Sequence, residues 1–247
     1  METISRKKED LMIFYHNYCV PNNMVISISG DINPEEVSNK IEALFKDIPR
    51  ADLPKRPVSE SAAGTINKEL LNMDKEQALL MVAFKTVGVN DPDRYPLDVL
   101  ETLMSGMSGR LFDSIREKSG LSYTLGCVQR LGKDTGLMLF YAATTKDNIN
   151  FARDKLFAEI NMIRDKIAAE DELDGAKREL ISGYKMAMQT NSSYTFQSAL
   201  DELFGQGYDN LYKYEENIKK VTKEDVKRVA DKYLDLKAYA EVVVEPE

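Results

Sequence analysis

One short segment of the 247-residue sequence combines residue types that could act on a peptide bond. It runs from Gly106 to Tyr123 and reads GMSGRLFDSIREKSGLSY. A loop of small residues opens a predicted helix, and Gly120 can take the left-handed conformation that ends it, which places Arg116 in the last turn. Tyr123 begins the next predicted strand. The helix end and the strand start could therefore direct two donors into one space, where they could bind a peptide carbonyl and stabilise an oxyanion.

Both side chains also have an ordinary structural interpretation. An arginine near a helix C-terminus commonly complements the helix dipole or pairs with an acid such as Asp113. A tyrosine at the start of a strand is commonly half-buried in the core. The residues alone leave both interpretations open.

The rarest residues exclude most kinds of hydrolytic centre. The chain has one histidine, His16, and two cysteines, Cys19 and Cys127, and their spacing matches no zinc site. Triad chemistry of the Ser-His-Asp or Cys-His kind would depend on His16 alone. We therefore predict two buried free thiols, a surface or helix-packing histidine, and no metal site, cofactor or complete hydrolytic centre in this chain.

The charge and hydropathy of the chain argue against nucleic-acid and membrane partners. Lys+Arg number 33 and Asp+Glu 41, so the net charge is −8. Because an acidic chain without a basic stripe lacks the attraction that drives nucleic-acid binding, no nucleic-acid partner is expected. No apolar run approaches the ~18 residues of a membrane span, and the N-terminus shows no secretory signal. These features predict a cytoplasmic protein without a membrane partner.

The pattern of apolar residues predicts an α+β fold with a mostly antiparallel sheet packed against helices, because strands are grouped apart from long runs of helix. Residues 8–19, 24–29 and 34–47 read as helix, strand and helix, with Asn33 as the helix cap. A proline-containing linker follows, over 51–63. The predicted strands beyond it are 64–73, 78–86, 123–130, 136–144 and 238–244. The predicted helices are 96–104, 109–118, 147–166, 170–189, 193–205, 209–219 and 222–234. The acidic run 170–172 is expected to be a solvated helix face.

An ungapped internal repeat suggests how the chain is organised. Residues 8–29 (KEDLMIFYHNYCVPNNMVISIS) align with residues 223–244 (KEDVKRVADKYLDLKAYAEVVV), and each segment reads as a helix followed by a strand. If the second copy closes one domain, the first copy closes an earlier one. We therefore predict that residues 1–50 close a preceding half-domain and that residues 64–247 form a complete second one.

Several segments, in order, are similar to the insulinase/pitrilysin family of zinc metallopeptidases, which includes the mitochondrial processing peptidases. In chain order they are EDLMIFYHNYCVPNNMVISISGDINPEEV, GMSGRLFDSIREKSGLSY, DELDGAKRELISG and VTKEDVKRVADKYL. The resemblance covers essentially the whole chain. It implies two similar α+β half-domains around an enclosed cavity, the first carrying His-x-x-Glu-His and a distal glutamate as zinc site.

The resemblance also gives Arg116 and Tyr123 a role, because the family's second half carries an arginine and a tyrosine seven residues apart. It implies that Arg116 positions the substrate and that Tyr123 stabilises the tetrahedral intermediate. This chain has no His-x-x-Glu-His, so the zinc is expected in another half-domain, on the same polypeptide or on a separate subunit. The enzymatic activity is then expected of the parent zinc metalloendopeptidase, while for this chain alone it stays open.

Two alternatives to a catalytic role remain. The chain could be a non-catalytic scaffold or assembly subunit of the same fold, or, less in keeping with the motifs, an independent small-molecule-binding module. The expected partners are a half-domain with the His-x-x-Glu-His motif and a peptide substrate, and a dimer is kept open. Ser105 and Gly109 depart from the family's usual Gly-Gly-x-Ser-Ser-Arg run, which weakens the expected helix cap at position 109.

Overall fold

The computed structural model describes residues 7–55, 64–105, 109–111, 124–166 and 168–247. These residues divide into two compact units. One holds the described residues of 1–60 together with Ala187–Leu211, and the other holds those of 61–186 together with Tyr212–Glu247. The predicted division into 1–50, 51–63 and 64–247 stays a prediction.

The described residues contain helices and strands in the following chain order. The helices are α1 (Lys8–Tyr18), α2 (Pro34–Phe45), α3 (Arg94–Ser105), α4 (Ile149–Asp165), α5 (Glu170–Ala187), α6 (Asn191–Leu203), α7 (Tyr214–Lys220) and α8 (Lys223–Tyr233). The strands are β1 (Asn67–Met73), β2 (Ala78–Val87), β3 (Thr124–Leu131), β4 (Thr135–Thr144) and β5 (Ala240–Pro246). None of the described helices has the length and apolar character needed to cross a membrane.

The larger unit is built on one five-stranded sheet in the order β1-β5-β2-β4-β3. Strands β1 and β5 run parallel, while the pairs β5–β2, β2–β4 and β4–β3 are antiparallel. The predicted α+β class with a mostly antiparallel sheet is confirmed. The last strand in the chain, β5, lies inside the sheet, where it pairs with β1 on one side and with β2 on the other.

The core of the larger unit lies on one side of this sheet. Alternate residues of β2 and β4 are fully buried, as the period of a strand requires when one face is covered. Phe84 and Phe140 meet edge to face, with ring centroids 5.8 Å apart. Helices α3, α4 and α8 supply the opposing layer, with residues such as Leu100, Leu156 and Val229 in the same buried cluster.

The smaller unit contains α1, α2 and α6 and little sheet structure. Helix α2 begins as predicted, because the Asn33 side chain accepts hydrogen bonds from the backbone N–H groups of Glu35 and Glu36. Residues 24–29, predicted as a strand, belong to no sheet of the described residues, and their exposure alternates between exposed and half-buried along the segment. The smaller unit therefore contains a segment, residues 24–29, whose sequence is typical of a strand but which pairs with no strand among the described residues.

Several predicted boundaries shift in the structure. The first strand begins at Asn67 instead of 64, and the last covers Ala240–Pro246 instead of 238–244. The helix predicted over 209–219 is a short 3-10 turn, Asn210–Tyr212, followed by α7. Most of the helix predicted over 109–118 lies outside the described residues.

Candidate functional site

The two residues singled out by the sequence, Arg116 and Tyr123, lie outside the described residues. Their proximity and direction therefore stay predictions. The structure does describe both ends of the segment that carries them. The first end is the C-terminus of α3 with residues 109–111, and the second is the start of β3 at Thr124.

The C-terminus of α3 is tied directly to strand β3. The Oγ atom of Ser105, the last residue of α3, accepts a hydrogen bond of 3.0 Å from the backbone N–H of Cys127. A Cβ atom at Gly126 would come within 3.0 Å of the same Ser105 Oγ and within 2.6 Å of the Tyr141 hydroxyl oxygen. This corner is therefore closely packed, and a side chain at position 126 would require Tyr141 or Ser105 to move.

Residues 109–111 are anchored by a bidentate ion pair. Arg110 donates from Nε to Glu172 Oε1 at 2.6 Å and from Nη2 to Glu172 Oε2 at 2.8 Å, and the next residue, Leu111, is fully buried. The hydrogen bonds from Arg110 lower the pKa of the Glu172 carboxyl, and Glu172 in turn raises the pKa of Arg110. The expectation that Glu172 is merely solvated was wrong: it faces the arginine at the start of the motif.

The other end of the segment is held by the sheet. Thr124 is the first residue of β3, and its register partner on β4 is Ala143. Strand β3 begins one residue after Tyr123, close to the predicted start. The twelve undescribed residues between Leu111 and Thr124 are thus bounded by a buried residue at one end and a sheet pair at the other.

Helix α3 carries a half-buried acidic group that the sequence analysis missed. Burial raises the pKa of Asp98 to about 7, and the nearby Glu101 adds to this, whereas Arg94 and a hydrogen bond of 3.4 Å from the Tyr214 hydroxyl oppose it. Burial also raises the pKa of Glu101. Asp98 and Glu101 stand three residues apart on one helix face, and this spacing was the available signal.

A second carboxylate, Asp93, joins the start of α3 to α8. It accepts from Arg228 Nη1 at 2.8 Å, Lys232 Nζ at 3.0 Å and the Tyr233 hydroxyl at 2.6 Å. Burial raises the pKa of Asp93, but the hydrogen bonds from Tyr233, Lys232 and Arg228 outweigh it and lower the pKa to about 2. Because every oxygen is satisfied, this cluster can hold the two helices together but offers no free group for chemistry.

The potential metal ligands do not come together among the described residues. No group of three or more His, Cys, Asp or Glu side chains there could hold a metal ion. His16 is exposed on α1, with its ring 5.7 Å from that of Tyr15. Cys127 is a buried free thiol, as predicted, and burial raises its pKa well above the usual range. Cys19 is only half-buried, contrary to prediction, because it caps a helix whose apolar face is exposed.

Comparison with known proteins gives this fold a family. The family described as "Peptidase M16 inactive domain" matches residues 6–180. The chain therefore belongs to the M16 peptidases, as the insulinase-type segments of the sequence indicated. The matched residues include the segment from Gly106 to Tyr123.

Curated relatives carry the name "Uncharacterized zinc protease". One from Rickettsia felis is 28% identical over 184 residues, which cover 74% of this chain and 44% of the relative. One from Mycobacterium leprae is 26% identical over 259 residues, which cover 100% of this chain and 56% of the relative. This chain thus spans about half the length of these relatives.

Solved structures share the fold at low sequence identity. A protease from Helicobacter pylori has a TM-score of 0.88 and 18% identity, over 98% of this chain and 59% of that one. A chain of complex III2 from Candida albicans has a TM-score of 0.82 and 18% identity, over 97% of this chain and 59% of that one. The α+β architecture of this chain is therefore shared with these solved structures.

Proposed function

We propose that this chain is the non-catalytic half of a zinc endopeptidase and forms one wall of an enclosed peptide-binding cavity. The other half, which carries the His-x-x-Glu-His motif on the same polypeptide or on a separate subunit, would complete the enzyme. In this proposal residues 1–50 close the preceding half-domain, residues 51–63 are a linker and residues 64–247 form the second half-domain.

The observation that carries the proposal is the match of residues 6–180 to a family described as an inactive domain. The curated relatives named as zinc proteases are about twice as long as the part that this chain matches. Zinc needs three or four ligands held together, and among the described residues no group of three or more His, Cys, Asp or Glu side chains could hold a metal ion. We therefore assign the zinc to the other half, which carries the His-x-x-Glu-His motif.

Within this enzyme Arg116 and Tyr123 would act on the substrate. The Arg116 guanidinium would bind a backbone carbonyl and hold the peptide in position, and the Tyr123 hydroxyl would donate to the oxyanion of the tetrahedral intermediate. Such donors act best when they are held in place before the reaction. The Arg110–Glu172 ion pair and the Ser105–Cys127 hydrogen bond, which fix the described flanks of the segment, support this role.

Reconstituted cleavage tests the proposal. The chain is mixed with the stretch of the Mycobacterium leprae relative that lies outside the match, in the presence of zinc, and a quenched fluorescent peptide reports hydrolysis. We expect cleavage only in the mixture, and Tyr123→Phe should lower kcat by about a hundredfold, the scale of one lost oxyanion donor. Tyr208→Phe, at an exposed tyrosine of the smaller unit, is the matched control and should leave cleavage unchanged.

The scaffold alternative makes a different prediction in the same assay. If the two parts associate but the peptide is not cleaved, or if cleavage is indifferent to both Tyr123→Phe and Arg116→Ala, the Arg116/Tyr123 pair has no part in catalysis. The chain would then be a scaffold or assembly subunit of the same fold.

A further inference from the structure

The two edge strands of the sheet, β3 and β1, differ in what covers their outer backbone groups. At the β3 edge, side chains of α3 accept hydrogen bonds from the strand. Ser105 Oγ accepts from the N–H of Cys127 at 3.0 Å. The Glu101 carboxyl accepts from the backbone of Gln129. Because a free row of backbone donors and acceptors readily pairs with another strand, these contacts close the β3 edge to such pairing.

Strand β1 forms the opposite edge, and its pairing with β5 shows which of its backbone groups point outward. The N–H of Asn67 donates to the Tyr239 carbonyl at 3.0 Å, and at the other end the Met73 carbonyl accepts from the N–H of Glu247 at 3.2 Å. Alternate residues of a strand direct their backbone groups to opposite sides. The odd-numbered residues of β1 therefore bond to β5, and the even-numbered ones direct their N–H and C=O groups away from the sheet.

These outward backbone groups belong to Lys68, Leu70 and Asn72, and no described part of the chain forms hydrogen bonds with them. The strand is seven residues long, and all its side chains are exposed except the half-buried Leu71. Leu70 lies at the centre of the strand and is 60% exposed. A long edge with an apolar centre and unpaired backbone groups is a site for pairing with another strand.

The direction of these groups limits how a second copy of β1 can pair with the first. Two identical edges that meet about a two-fold axis run antiparallel, and hydrogen-bonded residues must face outward on both strands. The axis then passes through a residue, and only an axis at Leu70 pairs all seven residues. An axis at Lys68 or Glu69 pairs fewer residues and sets like charges directly opposite each other, which is unfavourable.

An axis at Leu70 brings compatible side chains together. Leu70 packs against Leu70 of the second copy, so the exposed apolar centre of one edge covers that of the other. The remaining opposed pairs are Lys68 with Asn72, Glu69 with Leu71, and Asn67 with Met73. No like charges are opposed, and Lys68 keeps its ion pair with Glu241, which lies on β5 of the same copy at 3.4 Å. The edge is therefore complementary to itself.

We infer that β1 is a self-association surface by which two copies of this chain pair antiparallel, edge to edge, with the two-fold axis at Leu70. The five-stranded sheets of the two copies then form one continuous sheet. A single strand pair buries less area than the about 1,200–2,000 Å² of a stable interface, so we expect a dissociation constant of about 10–100 μM. The inference goes beyond the proposed endopeptidase and does not depend on it.

Analytical ultracentrifugation of the full chain tests the inference. The mass should rise from 28.0 kDa toward twice that value as the concentration passes through about 10–100 μM. Leu70→Lys sets like charges opposite each other and should weaken the dimer at least about tenfold. Leu44→Lys, at a leucine of α2 that is 75% exposed, is the matched control and should not. A chain that stays monomeric at about 500 μM, or equal weakening by both variants, would overturn the inference.

Cysteine cross-linking tests the position of the axis. In an antiparallel hydrogen-bonded pair the Cα atoms lie about 5.5 Å apart, within the range that a disulfide bridges. Mild oxidation should therefore link two copies of Leu70→Cys. The matched control is Asn72→Cys on the same edge, whose two copies would lie about 13 Å apart along the strands, too far to bridge. Equal linkage of both variants, above that of the unaltered chain with Cys19 and Cys127, would refute the axis at Leu70.

A backbone substitution separates strand pairing from other contacts at this edge. Because the N–H of Leu70 points away from β5, Leu70→Pro removes a hydrogen bond of the dimer but none of the sheet. Its circular dichroism should match that of the unaltered chain, while its dimer should be weakened at least about tenfold. An unchanged dimer would show that the strands do not pair. If the unaltered chain is monomeric and β1 instead binds the stretch of the Mycobacterium leprae relative outside the match, the choice of a second copy is wrong.

Discussion

Asp98 on α3 should make the protein less stable as the pH rises toward neutrality. Its pKa is about 7 in the folded chain because burial disfavours the carboxylate, against an ordinary value of 3.8. A carboxyl group whose folded pKa is raised contributes its full stability below the unfolded pKa and loses it as the pH rises through the folded one. With both values in the linkage relation, Asp98 costs the native state about 2.6 kcal/mol more at about pH 8 than at about pH 5.

Replacement of Asp98 by asparagine removes this dependence while keeping the shape of the side chain. The free energy of unfolding of Asp98→Asn, relative to the unaltered chain, should therefore rise by about 2–3 kcal/mol between pH 5 and pH 8. Urea denaturation at both pH values measures it, and for a chain of this size the gain corresponds to about 5–10 °C in Tm at the higher pH. Asp74→Asn, at an exposed aspartate, is the control and should show no such change.

The reasoning fails on a specific result. If the stability difference between Asp98→Asn and the unaltered chain is the same at both pH values, Asp98 is ionised in the folded protein. In that case Arg94 and the Tyr214 hydroxyl, which oppose the effect of burial, stabilise the carboxylate more than burial destabilises it.

Two further predictions concern the other paired carboxylates. Asp93→Asn should lower the free energy of unfolding by about 2 kcal/mol near pH 7, because the folded pKa of Asp93 is about 2 against an ordinary 3.8. The loss should vanish as the pH falls through this range. A loss that persists at pH 2 would contradict this prediction. Glu172→Ala should cost about 2 kcal/mol by leaving the Arg110 guanidinium without its bidentate partner, and Arg110→Ala added to it should cost little more in a double-mutant cycle. Strictly additive losses in urea denaturation would show that the pair does not stabilise the fold.

Much of the fold could be predicted from the sequence because its determinants are local. The N-cap at Asn33 and the alternating pattern of β2 each follow from residues within one or two turns of chain. The misplaced boundaries lie where tertiary contacts decide. Strand β5 extends to Pro246, for example, because it pairs with the whole length of β1.

The altered pKa values of Asp93 and Asp98 could not be predicted, because the partners of these carboxylates are distant in sequence. Asp93 and Asp98 stand near the start of a helix, where acidic residues are common on solvated surfaces. Their environment depends on Tyr233 and Tyr214, which are 140 and 116 residues away. The spacing of apolar residues along a helix indicates which face is apolar, but it does not indicate which side chains from distant parts of the chain contact that helix.

The same distinction applies to the candidate catalytic segment. The seven-residue spacing of Arg116 and Tyr123 is local and visible in the sequence, whereas the position of the segment depends on Glu172, 62 residues after Arg110. If the Arg110–Glu172 ion pair anchors a segment whose donors must be in place before the substrate binds, then Glu172→Ala should impair cleavage in the reconstituted enzyme. It should do so although Glu172 itself does not contact the substrate in this proposal. The conservative replacement Glu172→Asp keeps the negative charge but shortens the side chain. Its cleavage rate should lie between those of the unaltered chain and of Glu172→Ala, because a bidentate pair depends on geometry as well as on charge. A stability defect without any loss of cleavage would instead assign the ion pair to folding alone.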